Sequence, residues 1–467
     1  MNTSMTRRGF LAASASALAA GAAAETGIAG AAAAGSEELP TTRIRKIYIA
    51  KPVPTWPKPN LDVTAEIQRI ELELSKLGDR MPGIRFEGGE LYRTAQEVPN
   101  AAAAFDQPDG FLIFNLTSSL NSHIERIAAT GLPTILYSQP YSGHDWSSVA
   151  GMRKKGHRIV CLATSDFHEI PAACRLIRTA HLMRNTRILY VNSSPFNAET
   201  GARVRERLGT ELIHIGPERV LEAYQAISES AAQADARGWI SGALRVVEPT
   251  EQEVVKSSRL YLALRELMRQ ERAQAVTINC LGLFNQNKLP AYPCLAFCKL
   301  NDLGRVGVCE GDVDSTLTQL IFTYAFGVPG YVSDPVIDTS SNTVIHAHCV
   351  SATRLDGPAG AAAPYIIRSH MEDNKGVSLQ VKMRIGQVIT MAKLIRQDTM
   401  LISTGTITGN PESDRGCRTK ISTQVADAHK LLEGYEGGLH RVIFYGDRTR
   451  AIRDLSGLMQ FKVVDEI

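Results

Sequence analysis

From residue 43 onward, short apolar runs of strand length alternate with longer stretches whose apolar positions recur at helical spacing. Arg45-Lys46-Ile47-Tyr48-Ile49-Ala50 reads as a strand, 62–77 as an amphipathic helix, and Gly110-Phe111-Leu112-Ile113-Phe114 and Pro133-Thr134-Ile135-Leu136-Tyr137 as two more strands. The alternation returns with a strand at 158–162, a helix near 168–183, a strand at 187–191, a helix near 198–208 and a strand at 211–215. A long charged helical stretch follows from 217 to 274. Strands separated by helices cannot be joined as hairpins, so the pattern predicts parallel sheets in an α/β protein. It predicts two doubly wound, Rossmann-like domains over 40–155 and 156–340, divided where Ser147, Gly151 and Lys154-Lys155-Gly156 interrupt the apolar pattern. Beyond about 340 the texture changes to short antiparallel strands, such as Val344–His348, Tyr365–Ile367, Ser378–Met383 and Met400–Ile402, which predicts a β-rich domain over 341–467.

The length of 467 residues exceeds what one hydrophobic core supports, in keeping with several domains. The formal charge is only +3, and the basic residues are scattered rather than gathered in blocks, which argues against nucleic acid as a partner. Before the first strand, Thr6-Arg7-Arg8-Gly9-Phe10-Leu11 precedes a weakly apolar, Ala-rich run with small-residue sites at Ala22-Ala23-Ala24 and Ala32-Ala33-Ala34. Residues 1–34 read as a twin-arginine signal, so the expected destination is periplasmic or extracellular. That run is short and mostly Ala, Gly and Ser, and no other stretch approaches the length of a membrane span. The eight cysteines lack the dense spacing of a disulfide scaffold, and several sit in apolar runs as expected of buried thiols.

No G-x-G-x-x-G or G-x-x-x-x-G-K-[ST] loop is present to hold a nucleotide. The candidate chemistry lies between 305 and 350, where ligand-type residues stand at strand ends. Gly307-Val308-Cys309-Glu310-Gly311-Asp312 is an apolar strand running into two acids ahead of a helix at 315–326. The same acids also fit a plain helix cap, and an isolated Glu-Gly-Asp leaves both readings open. Gly330-Tyr331-Val332-Ser333-Asp334 is a second strand ending in a carboxylate, and Val344-Ile345-His346-Ala347-His348 offers histidines on a third. Two carboxylates and an imidazole at successive strand ends suit a divalent cation such as Mn²⁺. Strand alternation places His346 and His348 on one face, so one can ligate while the other supports it.

These segments resemble the metal-binding signature of the L-fucose and L-arabinose isomerases. The resemblance rests on Cys309-Glu310-Gly311-Asp312, the later Asp334, Ala347-His348-Cys349 and, near the end, Glu436-Gly437-Gly438-Leu439-His440. It covers roughly residues 275–445 well, and the first half only in outline. It implies two Rossmann-like domains followed by one containing a β-barrel, with Mn²⁺ or another divalent cation held by Glu310, Asp334, His348 and His440. Glu310 and Asp334 would be the acid/base pair that moves a proton between C1 and C2 of an open-chain sugar, and the protein would be a homo-oligomer. His440 also fits a turn histidine before a strand. The second carboxylate is Asp, as in the fucose type, whereas the arabinose type uses Glu, so no particular sugar is implied. Three further readings stay open: an epimerase or lyase on a sugar or sugar acid at the same site, an exported carbohydrate-binding protein without turnover, and a structural zinc site of Cys294, Cys298, Cys309 and Cys417.

Overall fold

The computed structural model describes residues 39–467, and the twin-arginine segment expected over 1–34 lies outside the described residues. Strands β1 (Thr42–Ile49), β2 (Ile84–Tyr92), β3 (Gly110–Asn115), β4 (Thr134–Ser138) and β5 (Ile159–Ala163) form an all-parallel sheet in the order β2-β1-β3-β4-β5. Every residue of β3 and β4 is buried, as expected of strands covered on both faces. A second parallel sheet contains β6 (Arg187–Val191), β7 (Glu211–Ile215), β8 (Ala275–Ile278) and β9 (Val306–Val308) in the order β7-β6-β8-β9.

Between β7 and β8 the charged stretch forms three helices, each with its own start signal. Pro217 stands in the first turn of Pro217–Ala226, the Ser228 side chain caps Glu229–Gly242, and Thr250 with Glu253 makes a reciprocal capping box for Glu251–Gln270. The helix Cys294–Asp302 then packs so closely on β9 that a Cβ on Gly307 would lie 2.6 Å from the Phe297 ring. Only glycine fits there, and the approach fixes the strand that delivers Glu310.

The remaining strands pair antiparallel apart from the last. They are β10 (Tyr331–Asp338), β11 (Thr343–His348), the pair β12 (Tyr365–Arg368) and β13 (Ser378–Val381), then β14 (Val388–Ile395), β15 (Thr399–Gly409), β16 (Thr419–Gln424), β17 (Arg441–Tyr445) and β18 (Lys462–Asp465). The order β14-β17-β10-β11-β16-β15 closes through a β14–β15 pairing into a six-stranded antiparallel barrel, and β18 adds to β15 in parallel. Closure leaves no unpaired edge within the six strands. The protein is therefore mixed α/β, with two parallel sheets and a closed barrel.

Strand membership does not change at 155 or 340, the two divisions expected from the pattern. β5, beyond 155, belongs to the first sheet, and the Gly/Lys stretch before it is the end of the helix Val149–Lys154 and its turn. β10, before 340, is a barrel strand, because its apolar run pairs with β11 and β17 rather than with β9.

One buried ion pair ties the barrel end to the C-terminus. Arg441 donates to Glu466 at 3.0 Å, with both side chains almost fully buried, and also donates to the His440 carbonyl at 2.9 Å. Glu466→Ala leaves this guanidinium buried without its counter-charge. The expected cost is about 3–5 kcal/mol, read as a lowered midpoint of thermal unfolding, and an unchanged midpoint would show that the pair contributes nothing.

Candidate metal centre

The barrel register gathers the ligand-type residues. Asp334 of β10 pairs with Ala347 of β11, and Ser333 pairs with Arg441 at the start of β17, which places Asp334 and His348 on neighbouring strands with His440 just ahead of a third. Glu310 comes from the second sheet, just after β9, with φ +65°, a left-handed conformation that costs free energy outside glycine. The next residue helps hold that turn, with the Gly311 N–H donating to the Ile278 carbonyl at 2.9 Å.

Among the described residues, one group of three ligand-type side chains converges: Glu310, His348 and His440, with ligand atoms all within 4.8 Å of one another. His348 Nε2 lies 3.6 Å from Glu310 Oε1, and His440 Nε2 lies 3.4 Å from Glu310 Oε2 and 3.2 Å from Asp334 Oδ1. Ligands about 2.1 Å from a common ion stand roughly 3.0–3.4 Å apart, so these separations are close to those of a coordination shell. Asp334 meets this group through His440. His346, the other candidate on β11, turns away: its Nδ1 lies 3.0 Å from Ser333 Oγ, and burial, with Arg441 nearby, pushes its pKa down to about 3.

The donor chemistry fits a cation. His348 is buried, yet neither ring nitrogen has a hydrogen-bond partner, a costly state unless something else takes the lone pair. Contacts with His348 and then His440 hold the Glu310 carboxyl far below the usual carboxylate range. Burial opposes charge on His440, but Asp312, Asp334 and Glu310 outweigh it and push its pKa up to about 11. A pocket that holds a positive charge this firmly in the protein alone is one that a divalent cation can enter by displacing the proton.

Asp312 completes the centre. The turn Glu310-Gly311-Asp312 starts the helix Val313–Phe326, and Asp312 Oδ1 caps it by accepting from the Ser315 N–H at 2.9 Å. The other oxygen, Oδ2, accepts from His440 Nδ1 at 2.8 Å, Lys393 Nζ at 2.7 Å and Ser315 Oγ at 2.7 Å. It orients the ring so that Nε2 faces Glu310 and Asp334, as second-shell carboxylates do for metal-bound imidazoles. In the sequence Asp312 is legible as a helix cap, but its hold on His440 is not. Lys393 was not singled out at all, although a lone cation in the apolar run Met391-Ala392-Lys393-Leu394-Ile395 was the available signal.

The thiols do not form the alternative zinc set. Cys294 neighbours Cys309, while Cys417 contacts Cys349 instead, and among the described residues no cysteine belongs to a converging ligand group. No family model matches the chain, and no curated protein matches it. No helix among the described residues is long and apolar enough to cross a membrane.

Cation binding has a proton signature. An imidazole binds a metal through a neutral nitrogen, so His440 must lose the proton that Asp312, Asp334 and Glu310 hold on it. Between about pH 7 and 9 we expect release of about one proton per ion bound, read from how the binding enthalpy varies with buffer ionisation enthalpy. The sign for the metal-free protein follows from the raised pKa. Stability from this group is full below the ordinary value of 6.5 and is lost as pH rises toward about 11. Binding without proton release would contradict the assignment of His440 as a ligand.

Proposed function

We propose that the protein is a divalent-metal-dependent aldose–ketose isomerase of the kind the L-fucose and L-arabinose isomerases represent. The convergence of Glu310, His348 and His440 at strand ends, with Asp334 beside them, is the observation that carries this reading. Under it, the two parallel sheets are the two doubly wound, Rossmann-like domains of that family. The chain assembles as a homo-oligomer and leaves the cytoplasm folded behind its twin-arginine segment.

A divalent cation such as Mn²⁺, held by Glu310, His348 and His440 with Asp334 alongside, supplies Lewis acidity toward the carbonyl and neighbouring hydroxyl of an open-chain sugar. Glu310 and Asp334 are the two carboxylates available for the proton. One takes it from C2 of the aldose and it returns to C1 of the ketose, while the hydroxyl proton passes to the former carbonyl oxygen, so atoms balance without an external oxidant. Such a positioned base contributes about 10²–10⁴-fold. Glu310, with 37 % of its side chain accessible, and Asp334, with 28 %, are open to a substrate, whereas His348 and His440 are buried as ligands should be.

The test is metal content and Mn²⁺-dependent interconversion across pentoses, hexoses and deoxyhexoses. Turnover that disappears with chelation and returns with Mn²⁺ supports the isomerase. Bound metal with C-epimerised or cleaved products would assign the same site to an epimerase or lyase, and absence of metal binding would overturn the centre itself.

A further inference from the structure

The first parallel sheet has a crevice of its own. Its order β2-β1-β3-β4-β5 sends the connection after β1 to one side and the connection after β3 to the other, through the helices Val63–Ser75 and Asn121–Ala128. Where connections diverge in this way, ligands bind in the crevice outside the carboxyl ends of the strands. Two adjoining hollows lie there, of about 120 Å³ and about 370 Å³, and both are lined by Gln139, Pro140 and Tyr141 of the loop after β4. The larger is within the size range of small-molecule sites, and no residue of the metal centre lines either.

Polar groups of this crevice lack partners. Asn115, at the end of β3, is 2 % exposed, and its Nδ2 donates to Asp145 Oδ2 at 3.1 Å while its Oδ1 accepts nothing. Asp145 is held in place by the Leu120 N–H at 2.7 Å, and turning the amide over would set oxygen against oxygen. The indole N–H of Trp56, in the loop after β1, is also buried and unpartnered. Burying an acceptor and a donor with nothing to bond is costly, and a buried Trp N–H ordinarily finds a partner. Arg69 donates to Gln139 Oε1 at 2.6 Å, so the NH₂ of that amide is a further donor. The rim is aromatic: Trp56 and His144 pack with ring centroids 5.1 Å apart, and Tyr141 and Trp146 beside them are 78 % and 50 % exposed. Tyr141 has φ +68°, a left-handed conformation whose cost the exposed ring does not repay by burial. Of the residues lining the two hollows, only Glu66 carries a formal charge, and Arg69 pairs with it at 2.6 Å.

We propose that this crevice binds a neutral saccharide in its closed-ring form. A hydroxyl both donates and accepts, so one kind of group satisfies Asn115 Oδ1, the Trp56 N–H and the Gln139 amide. The C–H faces of a sugar ring lie on exposed aromatic faces, which removes apolar area of both from water. Walls without a free charge suit a neutral ring better than a phosphorylated or acidic sugar. The inference does not depend on the isomerase reading, which concerns an open-chain sugar at the metal centre.

The experiment titrates the full-length protein with methyl glycosides of neutral pentoses and hexoses, and with neutral β-linked tetrasaccharides of glucose, xylose and mannose, by calorimetry and tryptophan fluorescence. A methyl glycoside cannot open its ring, so it is no substrate for an aldose–ketose isomerase. We expect binding of at least one probe, with a shift in tryptophan emission and with affinity weakened about 10-fold in Tyr141→Ala and in Trp146→Ala. Both side chains are exposed, so neither substitution should move the unfolding midpoint. Binding should persist after chelation with EDTA and in His348→Ala, which separates this crevice from the metal centre. No binding of any probe, full affinity in both aromatic variants, or tighter binding of uridine or adenosine than of every saccharide would each overturn the proposal. Loss of binding on chelation, or in a folded His348→Ala variant, would overturn it as well, by making the crevice part of the metal centre's own substrate site.

Discussion

Replacing Glu310 with glutamine is expected to reduce Mn²⁺-dependent sugar interconversion by about 10³-fold or more, since it removes both a ligand charge and a proton acceptor. Glutamine keeps the shape, so the left-handed turn at Glu310 and the bond from the Gly311 N–H to the Ile278 carbonyl survive. What disappears is the anion standing 3.4 Å from His440 and 3.6 Å from His348. Two imidazoles and the largely covered Asp334 then remain for a dication. Metal content after dialysis should fall together with turnover, while the unfolding midpoint of the metal-free protein changes little because the carboxyl is partly exposed. Turnover near the parent level with metal still bound would remove Glu310 from the chemistry. Lost turnover with full metal occupancy would instead make it the base alone and leave the cation to the other ligands.

Much of this geometry is local enough to be legible in the chain. The strand-length apolar runs at 110–114, 133–137 and 187–191 became β3, β4 and β6, because an apolar run bounded by helices has few places other than a covered sheet. β2 escaped such a reading because Ile-Arg-Phe-Glu-Gly-Gly-Glu-Leu-Tyr is an edge strand with polar residues on both faces. The barrel was expected only through a family resemblance: β14 and β15 pair as a local hairpin, but the β10–β17 and β11–β16 pairings that complete the ring join strands far apart in sequence, which no local pattern encodes. Ligand types at strand ends pointed to Glu310, Asp334 and His348, and the family resemblance added His440. The distances among them depend on barrel register, a long-range property. Asp312 shows the limit most clearly: its spacing to Ser315 announces a helix cap, while its second oxygen meets His440, a residue 128 positions away.

That second oxygen makes Asp312→Asn the other substitution with a large expected effect. The amide keeps one oxygen, which can still cap the helix through the Ser315 N–H. The amide NH₂ then faces His440 Nδ1 and Lys393 Nζ, which are both donors. His440 loses the acceptor that fixes its ring, so Mn²⁺ affinity should fall about 10–100-fold, the usual effect of removing such a partner. Because Lys393 is buried and would lose the carboxylate it is ion-paired with, some loss of stability is also expected, and affinity alone would not separate positioning from damage. Proton release does separate them. Without the Asp312 charge the His440 pKa falls toward its ordinary range, so at pH 8 cation binding should release much less than the roughly one proton expected of the parent. A variant that binds weakly but still releases a full proton would show that Asp334 and Glu310 alone hold His440 charged, and would reduce Asp312 to a helix cap.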